Sequence, residues 1–130
     1  MADSYTHKNI EDVKDSAPDF GLAEIQEARF ATDALDASEA GFSLHRVKAG
    51  KRQAFGHRHE DAEEVYFVVS GGGRMKLDDD VIELADRDVV RVSGEVMRAF
   101  EGGSDGLEVL AFGAHRPEDR GDIVQDWWSD

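Results

Sequence analysis

The stretch G-H-R-H-E-D-A-E-E-V-Y-F-V-V-S-G-G-G, from Gly56 to Gly73, decides the reading of the fold. In a strand, residues i and i+2 point to the same side, so His57 and His59 share one face about 7 Å apart, a workable start for a metal site. Glu64 lies at an odd offset from His59 and cannot share that face on a straight strand. A turn over Glu60, Asp61, Ala62 and Glu63 folds a second strand beside the first and brings Glu64 across from the histidine pair. Beyond it, Glu64, Tyr66 and Val68 alternate with Val65, Phe67 and Val69. Both sides are largely apolar, which predicts a strand buried on both faces, as in a barrel or sandwich. Gly71, Gly72 and Gly73 then read as a turn.

Working outward, Phe42, Leu44 and Arg46 alternate with Ser43, His45 and Val47, and a turn at Ala49-Gly50 closes that strand. Downstream, Arg74–Leu77 and Val81–Leu84 flank three aspartates, Asp78 to Asp80. Three adjacent carboxylates invite a metal reading, but aspartate is a turn former and the flanking runs suit a hairpin. Val89–Val92 is a further strand, Val96, Arg98 and Phe100 share one face, and Leu107–Phe112 forms the last strand. Residues 1–20 read as an arm with a short strand near Ile10. Between Glu24 and Ala37 the pattern fits a short helix or a strand ending in a polar turn. Seven to nine short strands with at most one helix predict an all-β sandwich or barrel.

The chain has 130 residues, which suits one domain with one core. It has no cysteine, so disulfides, thiolate ligands and a cysteine nucleophile are excluded, and any metal must take nitrogen and oxygen donors. The formal net charge of -14 repels nucleic acid and anionic lipid, so neither nucleic acid nor membrane is an expected partner. The same acidity suits either a high-salt cytoplasm or an ordinary soluble acidic protein. With no signal-type or membrane-spanning apolar run, a soluble cytoplasmic protein is expected.

Taken together, Gly50, His57, His59, Glu64 and Gly71 resemble the first motif of the cupin superfamily: a glycine, a His-x-His pair, a glutamate four or five positions on and a glycine seven later. One additional residue separates Gly50 from His57. The Glu64-to-Gly71 spacing selects Glu64 over Glu63. Arg87-Asp88, Ser93-Gly94 and Arg98 fall where the family's second motif has a Gly-Asp turn, a second turn and a histidine ligand. Arg98 departs from that motif, because a guanidinium stays protonated and cannot bind a metal. The resemblance covers about Phe42 to Phe112. It implies a double-stranded β-helix, the cupin jelly-roll barrel, with residues 41–113 as barrel, 1–40 as an arm packed on it and 114–130 as a tail.

Two readings of the site follow. In the first, His57, His59 and Glu64 hold iron, manganese, nickel or zinc, and the chain is a metal-dependent enzyme of isomerase or dioxygenase class acting on a small polar metabolite. In the second, Arg98 neutralises Glu64 in a barrel without metal, and the protein binds a small molecule without chemistry. Arg98 has its own alternatives, a structural partner of Glu64 or a fork that grips an anionic ligand. Tyr66 and Phe100 share the inward face and are candidate ligand-binding residues. His45 reads as a surface or packed residue, His115 as a loop residue and His7 as part of the arm. Trp127 and Trp128 pin the tail to the body or to a second subunit of a homodimer, a state the resemblance also implies.

Overall fold

Residues 4–119 and 121–130 are described by a computed structural model. Eight strands run β1 (Gln26–Phe30), β2 (Ala40–Val47), β3 (Gly56–Arg58), β4 (Glu64–Leu77), β5 (Asp80–Leu84), β6 (Val89–Val92), β7 (Arg98–Ala114) and β8 (Asp122–Val124). They join one curled antiparallel sheet, β1-β2-β7-β3-β8, with β4 pairing β5, β6 and β7. This is the jelly-roll barrel the motifs imply.

The long pair β4 and β7 is the spine of the barrel, in register from Glu64 opposite Gly113 to Leu77 opposite Arg98. Alternation explains the core. Tyr66 and Val68 on β4 and Val109 and Ala111 on β7 face inward and are buried, as are Val47, Leu107, Met75 and Phe100. Burying each large side chain stabilises the fold by about 1.5–3 kcal/mol. The opposite side of β4 is only half-covered: Val65 and Phe67 are half-buried and Val69 is exposed, so this strand is not buried on both faces.

Three local readings change. The glycines after Val69 do not end the strand. β4 runs on through them, with register shifts between Val68 and Ser70 and between Gly71 and Gly73. Gly71 adopts φ 83°, a left-handed conformation suited to such a bulge, and an added Cβ would overlap the Gly106 carbonyl oxygen. The segment 24–37 is both of the alternatives in succession, strand β1 followed by a single helical turn, α1 (Ala31–Ala34). Near Ile10 there is no strand but a 3-10 turn, Ile10–Asp12, followed by a second at Ala17–Phe20. The aspartate run is a turn, with Leu77 paired to Asp80.

Both ends of the chain are held by polar contacts. Arg46 on β2 binds Glu11 of the arm, Glu27 of β1 and Glu108 of β7 at 2.7, 3.2 and 2.6 Å. The Trp128 indole donates to the Gln53 carbonyl at 2.7 Å beneath the Arg52 guanidinium, 4.3 Å from the ring centre. Lys76 lies 4.2 Å from the Trp127 ring. The tryptophans therefore pack on their own chain. Among the described residues no helix is long and apolar enough to cross a membrane.

Candidate metal centre

The His-x-His pair lies on β3 and just past it. β3 does not pair with β4, in contrast to the hairpin expected above. His57 is in register with Arg98 of β7, and β3 is flanked on its other edge by β8. The His59 amide donates to the Gly94 carbonyl at 2.8 Å. Glu64 arrives from the opposing wall, where it pairs with Val92 of β6. The short Ser93–Met97 connection between β6 and β7 then brings Arg98 beneath it. Glu64 thus reaches the histidines by closure of the barrel rather than by a turn at 60–63.

The geometry is close. His57 Nε2 and His59 Nε2 stand 3.9 and 3.3 Å from Glu64 Oε1. One donor atom from each of the three residues lies within 4.8 Å of the others. An ion about 2.1 Å from each donor requires donor separations of about 3–4 Å, so two imidazoles and a carboxylate fit a divalent ion after small side-chain adjustment.

Arg98 has no exposed surface. Its Nη2 donates to Glu64 Oε1 at 2.8 Å and its Nε to the Tyr66 hydroxyl at 3.1 Å. Its Nη1 faces the carbonyls of Ser93, Gly94 and Val96. The guanidinium is directed to Glu64, Tyr66 and backbone, and Arg98 is not among the residues lining the cavity. The Tyr66 hydroxyl also donates to Glu64 Oε1. Burial raises the Glu64 pKa, but hydrogen bonds from His57, His59, Tyr66 and Arg98 outweigh it and hold the carboxyl well below its usual range. Burial and the neighbouring Glu64 charge push the Tyr66 phenol up, which keeps it a donor. Its ring meets Phe100 edge-on, with centroids 5.2 Å apart, and both line the cavity.

That cavity has a volume of about 670 Å³ and opens from the His57, His59 and Glu64 cluster toward β1, β2 and the arm. Its size suits a small organic molecule. His45 and His115 also border it. His7 belongs to the arm and is not among the clustered donors.

A residue of the tail escaped sequence reasoning altogether. Asp119 accepts the backbone N–H groups of Glu60, Asp61 and Ala62 at 2.7, 3.1 and 2.9 Å, and its carboxylate lies 3.8 Å from His59 Nδ1. Those hydrogen bonds, the Glu60 amide first, hold its pKa down to about 2. Asp119 ties the tail to the loop joining His59 to Glu64. No local pattern announces it, since it lies some sixty residues downstream.

A family model described as a cupin domain matches residues 43–112. Among solved structures, a cupin protein from Bacteroides fragilis superposes with TM-score 0.71 at 22% identity, covering 99% of each chain. A sugar phosphate isomerase of the cupin superfamily from Silicibacter pomeroyi gives TM-score 0.71 at 14% identity over 95% of this chain and 83% of that one. A salicylate 1,2-dioxygenase from Pseudaminobacter salicylatoxidans gives 0.67 at 17% identity over 82% of this chain and 34% of that one. At such identities the likeness is one of fold. No curated protein matches the chain.

Proposed function

The chain belongs to the cupin family, and from that premise we propose that it is a divalent-metal-dependent enzyme of isomerase or dioxygenase class acting on a small metabolite. The observation that carries this reading is the convergence of His57, His59 and Glu64 within 4.8 Å at one end of a cavity of about 670 Å³. When bound, a divalent ion supplies Lewis acidity toward a carbonyl or enediol oxygen of the substrate. The chain's own residues do the rest. Arg98 and Tyr66 keep Glu64 ionised and fix its direction, Asp119 stands behind His59, and Tyr66 and Phe100 form the wall beside the site.

A second reading is favoured by one specific observation. Glu64 Oε1 already accepts from Arg98 and Tyr66, so the carboxylate is satisfied without an ion, as in a binding cupin that performs no chemistry. Metal analysis of protein purified without an affinity tag separates the two. The enzyme reading predicts close to one equivalent of a transition metal, lost in His57→Ala. Less than a tenth of an equivalent in the wild type, unchanged by that substitution, overturns it.

The proposal keeps the homodimer expected from the family resemblance. Val89 and Phe112, exposed on the outer face of the sheet, offer it an apolar surface. A monomeric mass by light scattering overturns that part.

A further inference from the structure

The cavity has a second polar wall, built on β1 and β2, and its hydrogen-bond directions can be deduced. The Phe100 amide donates to Gln53 Oε1 at 3.1 Å. That fixes the Gln53 side chain, whose Nε2 then donates to Gln26 Oε1 at 2.6 Å. Gln26 must therefore present its own NH2 group elsewhere. Gln26 is 4% exposed and borders the cavity, and its Nε2, which makes no hydrogen bond among the described residues, keeps some accessible surface there. Such a donor is open to a ligand oxygen without first breaking a bond within the protein.

His45 stands beside it. Register places Gln26 opposite Val47 and Ala28 opposite His45, so Gln26 and His45 are diagonal neighbours on the inward face of β1 and β2. His45 Nε2 is 2.8 Å from the Ser43 hydroxyl. Its Nδ1 is buried without a hydrogen-bond partner among the described residues, and a turn of the ring is what brings it to the cavity surface. Burial, with the nearby His57 adding to it, pushes the imidazolium pKa down to about 4, so the ring is neutral near pH 7. Two uncharged groups in want of partners thus meet on one wall.

The rest of the lining restricts what can sit there. Phe30, Phe55 and Phe100 present rings to the cavity, with Leu22, Ala28 and Ala111 between them. Among the described residues two cations border it. Arg58 is engaged by Asp122 at 2.6 Å, and Arg116 is solvent-exposed. The Arg98 guanidinium faces Glu64 and backbone. Among the described residues a phosphate dianion finds no unengaged buried cation here, and burying an uncompensated charge is costly.

We propose that Gln26 and His45 form a ligand subsite that recognises an uncharged oxygen, a carbonyl or a hydroxyl, on a largely apolar ring-bearing molecule rather than a phosphorylated sugar. A hydroxyl oxygen accepts from Gln26 Nε2 and gives its proton to His45 Nδ1, with Nε2–H turned to Ser43. A carbonyl accepts from both residues in the other tautomer, with the Ser43 hydroxyl donating to Nε2. The inference rests on this cavity being the substrate chamber but does not depend on a bound metal.

Calorimetric titration with acetophenone, ethylbenzene and glucose 6-phosphate, with and without EDTA, tests it. The first two probes differ essentially in the carbonyl oxygen. Wild type is expected to prefer the ketone by about three- to tenfold, the span of one neutral hydrogen bond, in both buffers. Glucose 6-phosphate is expected to bind at least tenfold more weakly than the ketone. Gln26→Glu keeps the acceptor for Gln53 but replaces the free NH2 with a carboxylate oxygen, so it should abolish the preference for the ketone. His45→Phe, which does not disturb the Gln26–Gln53 bond, should reduce the preference. Equal affinity of the ketone and the hydrocarbon for wild type, or an undiminished preference in Gln26→Glu, overturns the subsite whether or not metal binds. Tight binding of glucose 6-phosphate, or no binding of the ketone at millimolar concentration, overturns the ligand class. Loss of metal with the preference intact counts against the metal centre alone.

Discussion

Replacing Arg98 by methionine probes the ion pair beneath the metal donors. The guanidinium is wholly buried and hydrogen-bonded to Glu64, the Tyr66 hydroxyl and the carbonyls of Ser93, Gly94 and Val96. Methionine fills much of the space but strands the Glu64 carboxylate and those carbonyls. Removing one member of a buried pair costs about 3–5 kcal/mol. With the unfolding entropy typical of a chain this long, about 4 kcal/mol lowers Tm by about 15 °C. The assay is thermal unfolding by circular dichroism in EDTA, repeated with zinc or manganese. Without Arg98, an ion at His57, His59 and Glu64 becomes the counter-charge of the carboxylate. At equal ion concentration the variant's Tm should therefore rise more than that of wild type, and an ion at a hundred times Kd contributes about 2.7 kcal/mol. A Tm in EDTA within about 3 °C of wild type would refute the role assigned to the pair. An equal or smaller response to the ion would refute the competition between Arg98 and metal for Glu64.

Arg98→His should raise metal affinity above that of wild type by supplying the fourth ligand the family resemblance implies, and calorimetric titration without gain would show that residue 98 does not face the ion. The His45 pKa is lowered on folding from 6.5 to about 4, so its contribution to stability is complete above pH 6.5 and is lost as pH falls from there toward 4. His45→Phe should therefore flatten the urea-denaturation stability profile between those values, and an unchanged slope would contradict its burial as a neutral ring. Trp128→Ala removes the indole held by Arg52, Arg74 and the Gln53 carbonyl and should cost about 2 kcal/mol in urea unfolding, with no change of mass in solution; a stability loss below about 0.5 kcal/mol would show that the tail is not pinned by it.

The fold was largely legible because strand alternation is local. Residues 42 to 47 form a strand as their alternation predicts, and Tyr66 and Val68 are buried. What could not be read were features set by distant partners. A glycine run is the same string in a turn or in a bulge, and the choice at Gly71 to Gly73 depends on the pairing of β4 with β7. The donor set His57, His59 and Glu64 came from spacing, yet the route by which Glu64 reaches it, across the barrel and through Arg98, depends on closure. Asp119 and the Gln26–Gln53 chain gave no signal at all, because a single Asp or Gln has no pattern until the partner N–H groups of Glu60 to Ala62 or of Phe100 are beside it. His45 reads in the sequence as a surface or packed strand histidine, because the missing partner at Nδ1 is a property of the folded cavity.

The central claim is that His57, His59 and Glu64 together hold a divalent ion, and the most direct test is the X-ray absorption spectrum of protein loaded with one equivalent of zinc. The account predicts two imidazole nitrogens and carboxylate oxygen at about 2.0–2.2 Å, with one imidazole lost in His57→Ala. A spectrum with no imidazole ligand, or one identical in wild type and His57→Ala, would contradict it.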